Sequence, residues 1–515
     1  MRFFLILLCA ALAAAPTAWA QASLLPNLGD GSEITLGAER RIGDNIAREI
    51  YRDPDYVDDV VLRDYIQSIW QPLLAAARAR GELLPEMEQQ FAWDISLIRD
   101  RSINAFALPG GYLGVHLGLI AGVASADELA SVLAHELTHV TQRHIARMID
   151  QQSRQSPLMA GAMIVGMLAA TRAPVGSSGA NAASAMMVGG QAAAVQSQLN
   201  FSRDMEREAD RVGYGVLTQA GFEAQSFVTM FEKLQQAARL NDNGAFPYLR
   251  SHPMTTERIA DAQARQELLP KRAPLELTPL HAMMAARAQV LTNPGVEALR
   301  VLSGQVDLTP ARPLSTARQA GNLYAAALSD LRLRDFGRAK RHVAQLQSLT
   351  GLDAAALRVV RLLAAEVLLV VGEPAKAVVQ LEVPRTAAYT SDRATRIQLA
   401  QARIATQQPQ QARTAEQDLV GWIANHPQDA LAWLTLSAAY QLQGDGLRAL
   451  RAQAEARLAE LDYQAAVDRF KAAQDLALQL VREGKLDRAG HMEASIIDTR
   501  LRQSEQLRRE QTLQR

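Results

Sequence analysis

Ala134-His135-Glu136-Leu137-Thr138-His139-Val140 carries an H-E-x-x-H pattern. On an α-helix, side chains four positions apart lie about 40° from each other around the axis, so His135 and His139 project from one face. Two neutral imidazoles at that spacing reach one Zn²⁺, with Glu136 beside them to take a proton from water. Just upstream, Ser125-Ala126-Asp127-Glu128 has the S-x-x-E form of a capping box, and Leu129, Val132 and Leu133 supply an apolar face. The five-residue pattern alone also suits an ordinary surface helix with two histidines, so the metal reading needs a third ligand.

Spacing decides where that ligand can be. A metzincin requires H-E-x-x-H-x-x-G-x-x-H, but Gln142 stands at the glycine place and Ile145 at the third histidine, which excludes that class. The alternative is a carboxylate from a later helix, giving a His₂Glu site. Ser202-Arg203-Asp204-Met205-Glu206-Arg207-Glu208-Ala209-Asp210 supplies it. Glu206 and Asp210 are one turn apart and share a face, while Glu208 points away from it. Glu206 is thus the expected third ligand, and Asp210 the carboxylate that orients a ligand histidine from behind. An amphipathic helix with a charged outer face is the competing reading.

With Gln142-Arg143-His144 after the first motif and Glu206-x-x-Ala209-Asp210 as the second, the chain resembles the M48 zinc metallopeptidases, and within them the soluble branch that bears helical repeats. Asn104-Ala105-Phe106-Ala107-Leu108-Pro109-Gly110-Gly111 and His252-Pro253 with Glu257-Arg258 add to the likeness. The resemblance implies one Zn²⁺ per chain on His135, His139 and Glu206, with Glu136 as general base. It further implies that His252 is a removable fourth ligand that keeps the site closed. Misfolded or stalled outer-membrane proteins would be the substrates, with the repeats contacting the β-barrel assembly machinery.

Met1 to Ala20 reads as an export signal: Arg2, an apolar run from Phe3 to Ala15, and an Ala18-Trp19-Ala20 cleavage site. Cys9, the one cysteine of the 515 residues, lies inside it. The remainder then has no thiolate ligand, Cys nucleophile or disulfide, which fits a bacterial periplasm. Charge is balanced overall but not along the chain. From Lys271 onward there are 32 Lys and Arg against 25 Asp and Glu, so the part before is acidic. A basic half of this kind either meets acidic partners or anionic lipid, or is simply a solvated helical surface. No basic patch with interleaved aromatics occurs, which excludes nucleic acid as an expected partner.

Within the first half, residues 34 to 86 show helical periodicity, and Trp93 to Ile98, Asn104 to Ala107 and Tyr112 to Leu117 read as strands around a Pro109-Gly110-Gly111 turn. A small sheet beside the H-E-x-x-H helix offers an edge on which an extended peptide can add as a strand. His116, in that region, reads as structural or substrate-facing. Between Asp150 and Asp204 there is no acidic residue. The apolar run from Leu158 to Ala170 has 13 residues, short of the roughly 20 that a membrane span needs. Its methionines make residues 158–200 either a lid that grips apolar chain or touches the membrane surface, or a pair of ordinary buried helices. Proline at 253 keeps His252 off a helix face and on a loop. There it either reaches the metal or packs against the fold. Arg258 opens a helix and is expected to pair with a carboxylate near the site.

Leu269 to Pro274 reads as a boundary, beyond which helices repeat. Ala339, Ala377, Ala412 and Ala449 follow turns at separations of 38, 35 and 37 residues, close to the tetratricopeptide period of about 34. Trp433-x-x-Leu436-Ser437-x-x-Tyr440 is the fullest copy. Ala466, only 17 residues after Ala449, suggests that one helix serves two successive repeats. The expected architecture is mainly α (α+β): a signal at 1–20, a gluzincin-type zinc metallopeptidase domain with a small β-sheet at 21–270, and a tetratricopeptide-like array at 271–515. The expected function is a periplasmic zinc endopeptidase with chaperone-like activity. A repeat-based chaperone or scaffold with a silenced site is the alternative.

Overall fold

Thr35 accepts the Ala38 N–H and opens the helix Leu36–Arg52; Asp59 accepts the Leu62 N–H and opens Val60–Ala79. Each cap satisfies a backbone donor that has no partner inside its helix. Leu62, Ile66, Ile69, Trp70 and Leu73 then form one buried face of the second helix, and the short helix Pro85–Gln90 leads to the sheet. In this computed structural model, residues 34–155, 202–239, 248–252, 256–267, 277–308, 313–382 and 393–513 are described. The expected signal at 1–20, the Met-rich stretch 158–200 and the boundary 269–274 lie outside them. Among the described residues no helix is long and apolar enough to cross a membrane.

Three strands follow: β1 (Asp94–Ile98), β2 (Ala105–Leu108) and β3 (Tyr112–His116), with β3 in the centre, parallel to β1 and antiparallel to β2. The turn joining β2 to β3 depends on glycine, since Gly110 and Gly111 have φ of 72° and 83°. A Cβ on Gly110 would also stand 2.7 Å from the Arg40 Cα. These strands and the helices expected before them match the periodicity read from sequence to within a residue or two. After β3, the helix Leu117–Gly122 leads to the helix Ala126–Thr141, which carries the H-E-x-x-H motif and lies against β2.

Beyond residue 277 the described chain is a series of helical hairpins: Pro279–Thr292 with Val296–Gly304, Thr316–Arg332 with Phe336–Gln347, Ala354–Val370 with Pro374–Leu381, Arg393–Ala405 with Pro409–Ile423, Ala430–Leu442 with Gly446–Ala459, and Tyr463–Arg482 with Arg488–Leu513. Ala339, Ala377, Ala412, Ala449 and Ala466 are all buried near the starts of helices, where a small side chain lets the next helix close in. The Ser437 hydroxyl, for example, donates across to the Ala449 carbonyl at 3.0 Å. Gly446–Ala459 packs against both the helix before it and Tyr463–Arg482, and so takes part in two successive layers.

The hairpins do not stand apart from the sheet-bearing part. Met283 and Met284 share one continuous apolar core with Trp70 and Leu73. His281 takes the Tyr65 hydroxyl at 2.6 Å and faces the Val123 carbonyl at 3.1 Å. Three acidic residues on and before Val60–Ala79 each meet an arginine of the hairpins: Asp59 with Arg287 at 2.7 Å, Asp58 with Arg393 at 3.1 Å, and Asp64 with Arg358 at 3.2 Å. Part of the basic excess after Lys271 is therefore used on the acidic half of the same chain.

Arg287 is buried and holds Asp59, which also caps a helix. Burial opposes the Asp59 charge, but Arg287 outweighs it and holds the carboxylate below its ordinary range. Removing the guanidinium strands a buried charge, so Arg287→Ala is expected to cost about 3–5 kcal/mol in urea unfolding at neutral pH. Because the folded-state value is depressed, this contribution is present above the unfolded carboxylate value of about 4 and is lost as pH falls. The gap between wild type and Arg287→Ala should therefore narrow in acid.

Candidate metal centre

Ser125 accepts the Glu128 N–H at 3.1 Å, and the Glu128 carboxylate reaches back to the Ala124 N–H at 2.7 Å. The expected capping box is thus present, with its return bond one residue earlier than the standard form. From this start the helix Ala126–Thr141 runs buried over nearly its whole length. Ser202 caps the second helix, Arg203–Gln219, through the Met205 N–H at 3.2 Å. The two cross where Gly213 meets the backbone of Ala134 and His135. A Cβ on Gly213 would lie 3.1 Å from the Ala134 carbonyl oxygen and 3.2 Å from the His135 Cα.

That approach brings Glu206 under the two histidines. His135 Nε2 lies 3.0 Å from His139 Nε2 and 3.5 Å from Glu206 Oε2, and His139 Nε2 lies 3.6 Å from Glu206 Oε1. His252 closes the group: its Nδ1 is 2.9 Å from Glu206 Oε1 and 3.3 Å from His135 Nε2. One ligand atom from each of these four residues falls within 4.8 Å of all the others, and all four residues are buried. His252 follows the one-turn helix Tyr248–Ser251 directly, with its N–H on the Tyr248 carbonyl at 2.9 Å. The Tyr248 ring stacks on it, the centroids 4.5 Å apart.

Glu136 is fully buried, with Oε2 taking the N–H of Ala107 on β2 at 2.9 Å. Among the described residues its Oε1 has no hydrogen-bond partner, and it faces His252 Nε2 at 3.4 Å. Ala107 belongs to β2, an edge strand of the sheet, so the acid and that strand touch. Burial raises the Glu136 pKa.

Around the four donors the remaining charges are matched. Asp210 Oδ1 lies 3.0 Å from His135 Nδ1. Arg258 holds Asp210 with two bonds of 2.6 and 2.7 Å and reaches Glu206 Oε2 at 2.7 Å, which answers which carboxylate it pairs with. Burial opposes a charge on His135, but Asp210 and Glu206 outweigh it and raise the imidazole to about 9. Burial likewise opposes the Glu206 charge, yet His252, His135 and Arg258 hold it well below the usual carboxylate range. His139 is pushed well below the ordinary imidazole value by burial and by the adjacent His135 charge.

Three imidazoles and a carboxylate with converging lone pairs, two of them on nitrogens 3.0 Å apart, fit a metal ion bound by N and O ligands. Every residue singled out from sequence as a ligand or helper is here: His135, His139, Glu206 and His252 in the cluster, Glu136 and Asp210 against it. His116 is not; it is buried on the Ser102 hydroxyl at 2.8 Å, the structural reading. Sequence reasoning missed Tyr248, which carries no motif of its own. Glu208 does point away from the Glu206 face, as its helical phase requires, but sequence reasoning gave it no partner, and it meets His144 at 3.0 Å.

Residues 63–266 match the model of Peptidase family M48. The chain carries an M48 peptidase domain. Among curated proteins it is similar to the putative beta-barrel assembly-enhancing protease of Vibrio cholerae, 34% identical over 325 residues, which is 62% of this chain and 63% of that protein. The beta-barrel assembly-enhancing protease of Escherichia coli is 33% identical over 253 residues, 49% of each chain. The mitochondrial metalloendopeptidase OMA1 of Saccharomyces cerevisiae is more distant, 27% identical over 199 residues, 38% of this chain and 53% of that one. The chain thus spans between about half and just under two thirds of the length of these relatives. The M48 domain contains the whole donor cluster and the Arg258 clamp.

Gly213 sets the distance between the two ligand helices of this domain, so bulk there should act on the metal before it acts on the fold. Gly213→Val is expected to cost about 1–3 kcal/mol of stability through overpacking. It should also weaken metal binding by at least tenfold in chelator competition. A variant that binds metal as wild type does would show that Gly213 does not set the ligand spacing.

Proposed function

We propose that this protein is a zinc endopeptidase of the bacterial periplasm that acts on misfolded or stalled outer-membrane proteins, with its helical hairpins, read as a tetratricopeptide-like array, meeting the β-barrel assembly machinery. The observation that carries the catalytic part is the buried four-donor cluster with Glu136 tied to the edge strand β2. Nitrogen and carboxylate ligands without a thiolate suit Zn²⁺, held by His135, His139 and Glu206. The names of the bacterial relatives support the outer-membrane part, and the export-type sequence Met1 to Ala20 supports the periplasm.

Bound zinc would supply Lewis acidity and a water acidic enough to be deprotonated near neutral pH. The chain does the rest. β2 is an edge strand of the sheet, and an extended peptide would add beside it next to Ala107, whose own N–H is held by Glu136. Glu136 accepts a proton from water at Oε1 and passes it to the nitrogen of the departing amine. Asp210, fixed by Arg258, holds His135 in the tautomer that presents Nε2. The acid-free stretch 158–200 is the proposed grip on exposed apolar chain or on the membrane surface.

A second reading, a chaperone or scaffold whose protease rests closed, draws on the position of His252. It lies inside the donor group at 1% exposure, where a peptide carbonyl or water would have to enter.

Glu136→Gln keeps the side chain's shape and removes the base. Cleavage of casein or of the protein itself is expected to fall by about 10²–10⁴-fold with zinc content unchanged. If the wild type shows no cleavage and both forms rescue assembly of outer-membrane proteins equally, the scaffold reading stands. His252→Ala should keep its zinc and cleave faster than wild type, visible as self-degradation. Activity at or below the wild-type level with zinc retained would refute the role of His252 as a removable ligand.

A further inference from the structure

We propose that His144 and Glu208 are positioning residues for His139, forming a second outer support for the metal that is separate from the Asp210–Arg258 clamp. This inference rests on the metallopeptidase reading of the site. His139 turns Nε2 toward the other donors, so its ring proton belongs on Nδ1. That nitrogen faces His144 Nδ1 at 2.9 Å. Two imidazole nitrogens at this distance share one proton, so His144 accepts at Nδ1 and carries its own proton on Nε2. Its Nε2 in turn meets Glu208 Oε2 at 3.0 Å. Arg147 holds the same oxygen at 3.0 Å. The direction of every hydrogen bond in the chain is therefore fixed by one requirement, that His139 offer a lone pair at Nε2.

The two ligand histidines are thus supported differently. His135 has a carboxylate directly behind it at 3.0 Å. Behind His139 there is a fully buried imidazole, and the carboxylate comes one step further out. Glu208 lies on the helix Arg203–Gln219 that supplies Glu206, and His144 begins the helix His144–Gln155 that follows the H-E-x-x-H helix. The chain His139–His144–Glu208 therefore ties the two ligand helices together as well as orienting a ring. Outer partners of metal-bound histidines typically alter affinity by about 10–100-fold when removed.

The test uses the full chain with zinc and, separately, cobalt, which reports the ligand field through its visible absorption. His144→Leu removes the acceptor. His144→Asn places an amide oxygen near the Nδ1 position and so keeps an acceptor for the His139 N–H. Glu208→Ala removes the outer carboxylate at a half-buried helix position where alanine is well tolerated. Chelator competition should show zinc held about 10–100-fold more weakly in His144→Leu, with shifted cobalt bands. His144→Asn should recover most of the affinity, and Glu208→Ala should lose several-fold. Melting of the metal-free proteins should not follow that order. Wild-type zinc affinity in both His144→Leu and Glu208→Ala overturns the proposal, as does equal loss in His144→Leu and His144→Asn that tracks melting of the metal-free forms. If His144→Leu does not fold, Glu208→Ala and His144→Asn decide it between them. A wild type that takes up no zinc in the same titration fails the metal reading itself, a distinct result.

Discussion

The cluster of four metal-type donors depends on how closely two helices approach. His135 and His139 are placed by the period of their own helix, which any H-E-x-x-H sequence would achieve. Glu206 is placed by a tertiary contact, the seating of Gly213 against the backbone of Ala134 and His135. A helix pair with ordinary side chains between them sits about 8–10 Å apart. At such a crossing glycine lets the backbones meet directly, and a carboxylate two turns away comes into reach of both imidazoles. Arg258 then serves two groups on the same helix, Asp210 and Glu206, and so fixes the rotation of that helix as well as its distance.

The same logic explains what was legible in the sequence. Everything that follows from the geometry of one element could be read: the shared face of His135 and His139, the shared face of Glu206 and Asp210, the capping box at Ser125, the glycine turn before β3. His252 was legible because a proline after it restricts its backbone. Tyr248 and the partner of Arg258 were not, since each acts across elements with no periodicity linking them. Glu208 shows the limit most clearly. Helical phase places it away from Glu206, which holds, but phase says nothing of what packs on that other face. A histidine from the next helix, His144, does. The helical hairpins were legible through their buried alanines; that their first helix joins the core around Trp70 was not.

The uneven charge of the chain has a physical place in the fold. Asp58, Asp59 and Asp64 cluster around the start of one helix, where they would repel one another if left to solvent. Each instead takes an arginine from a different hairpin. Exposed pairs of this kind contribute little, but Arg287 is buried and the Asp59 side chain is only 10% exposed, so mispairing them would leave charges with little water and no partner. The pairs therefore select one docking of the hairpins on the M48 domain out of the many that apolar packing alone would allow.

Charge also gives the clearest argument about what the centre is for. Glu136, Glu206 and Asp210 are all buried, and among the described residues Arg258 is the one permanent cation placed among them. Counted as ionised, these four leave two negative charges in a region where an unpaired charge costs several kcal/mol. Burial raises the Glu136 pKa, while Asp210 and Glu206 outweigh burial and raise the His135 imidazole to about 9. A divalent cation held by the four donors would offset the two negative charges in place, and it would favour the neutral imidazole that can offer a lone pair. The acidic excess of the pocket is thus itself a fit to a cation, independent of the spacing of the donors.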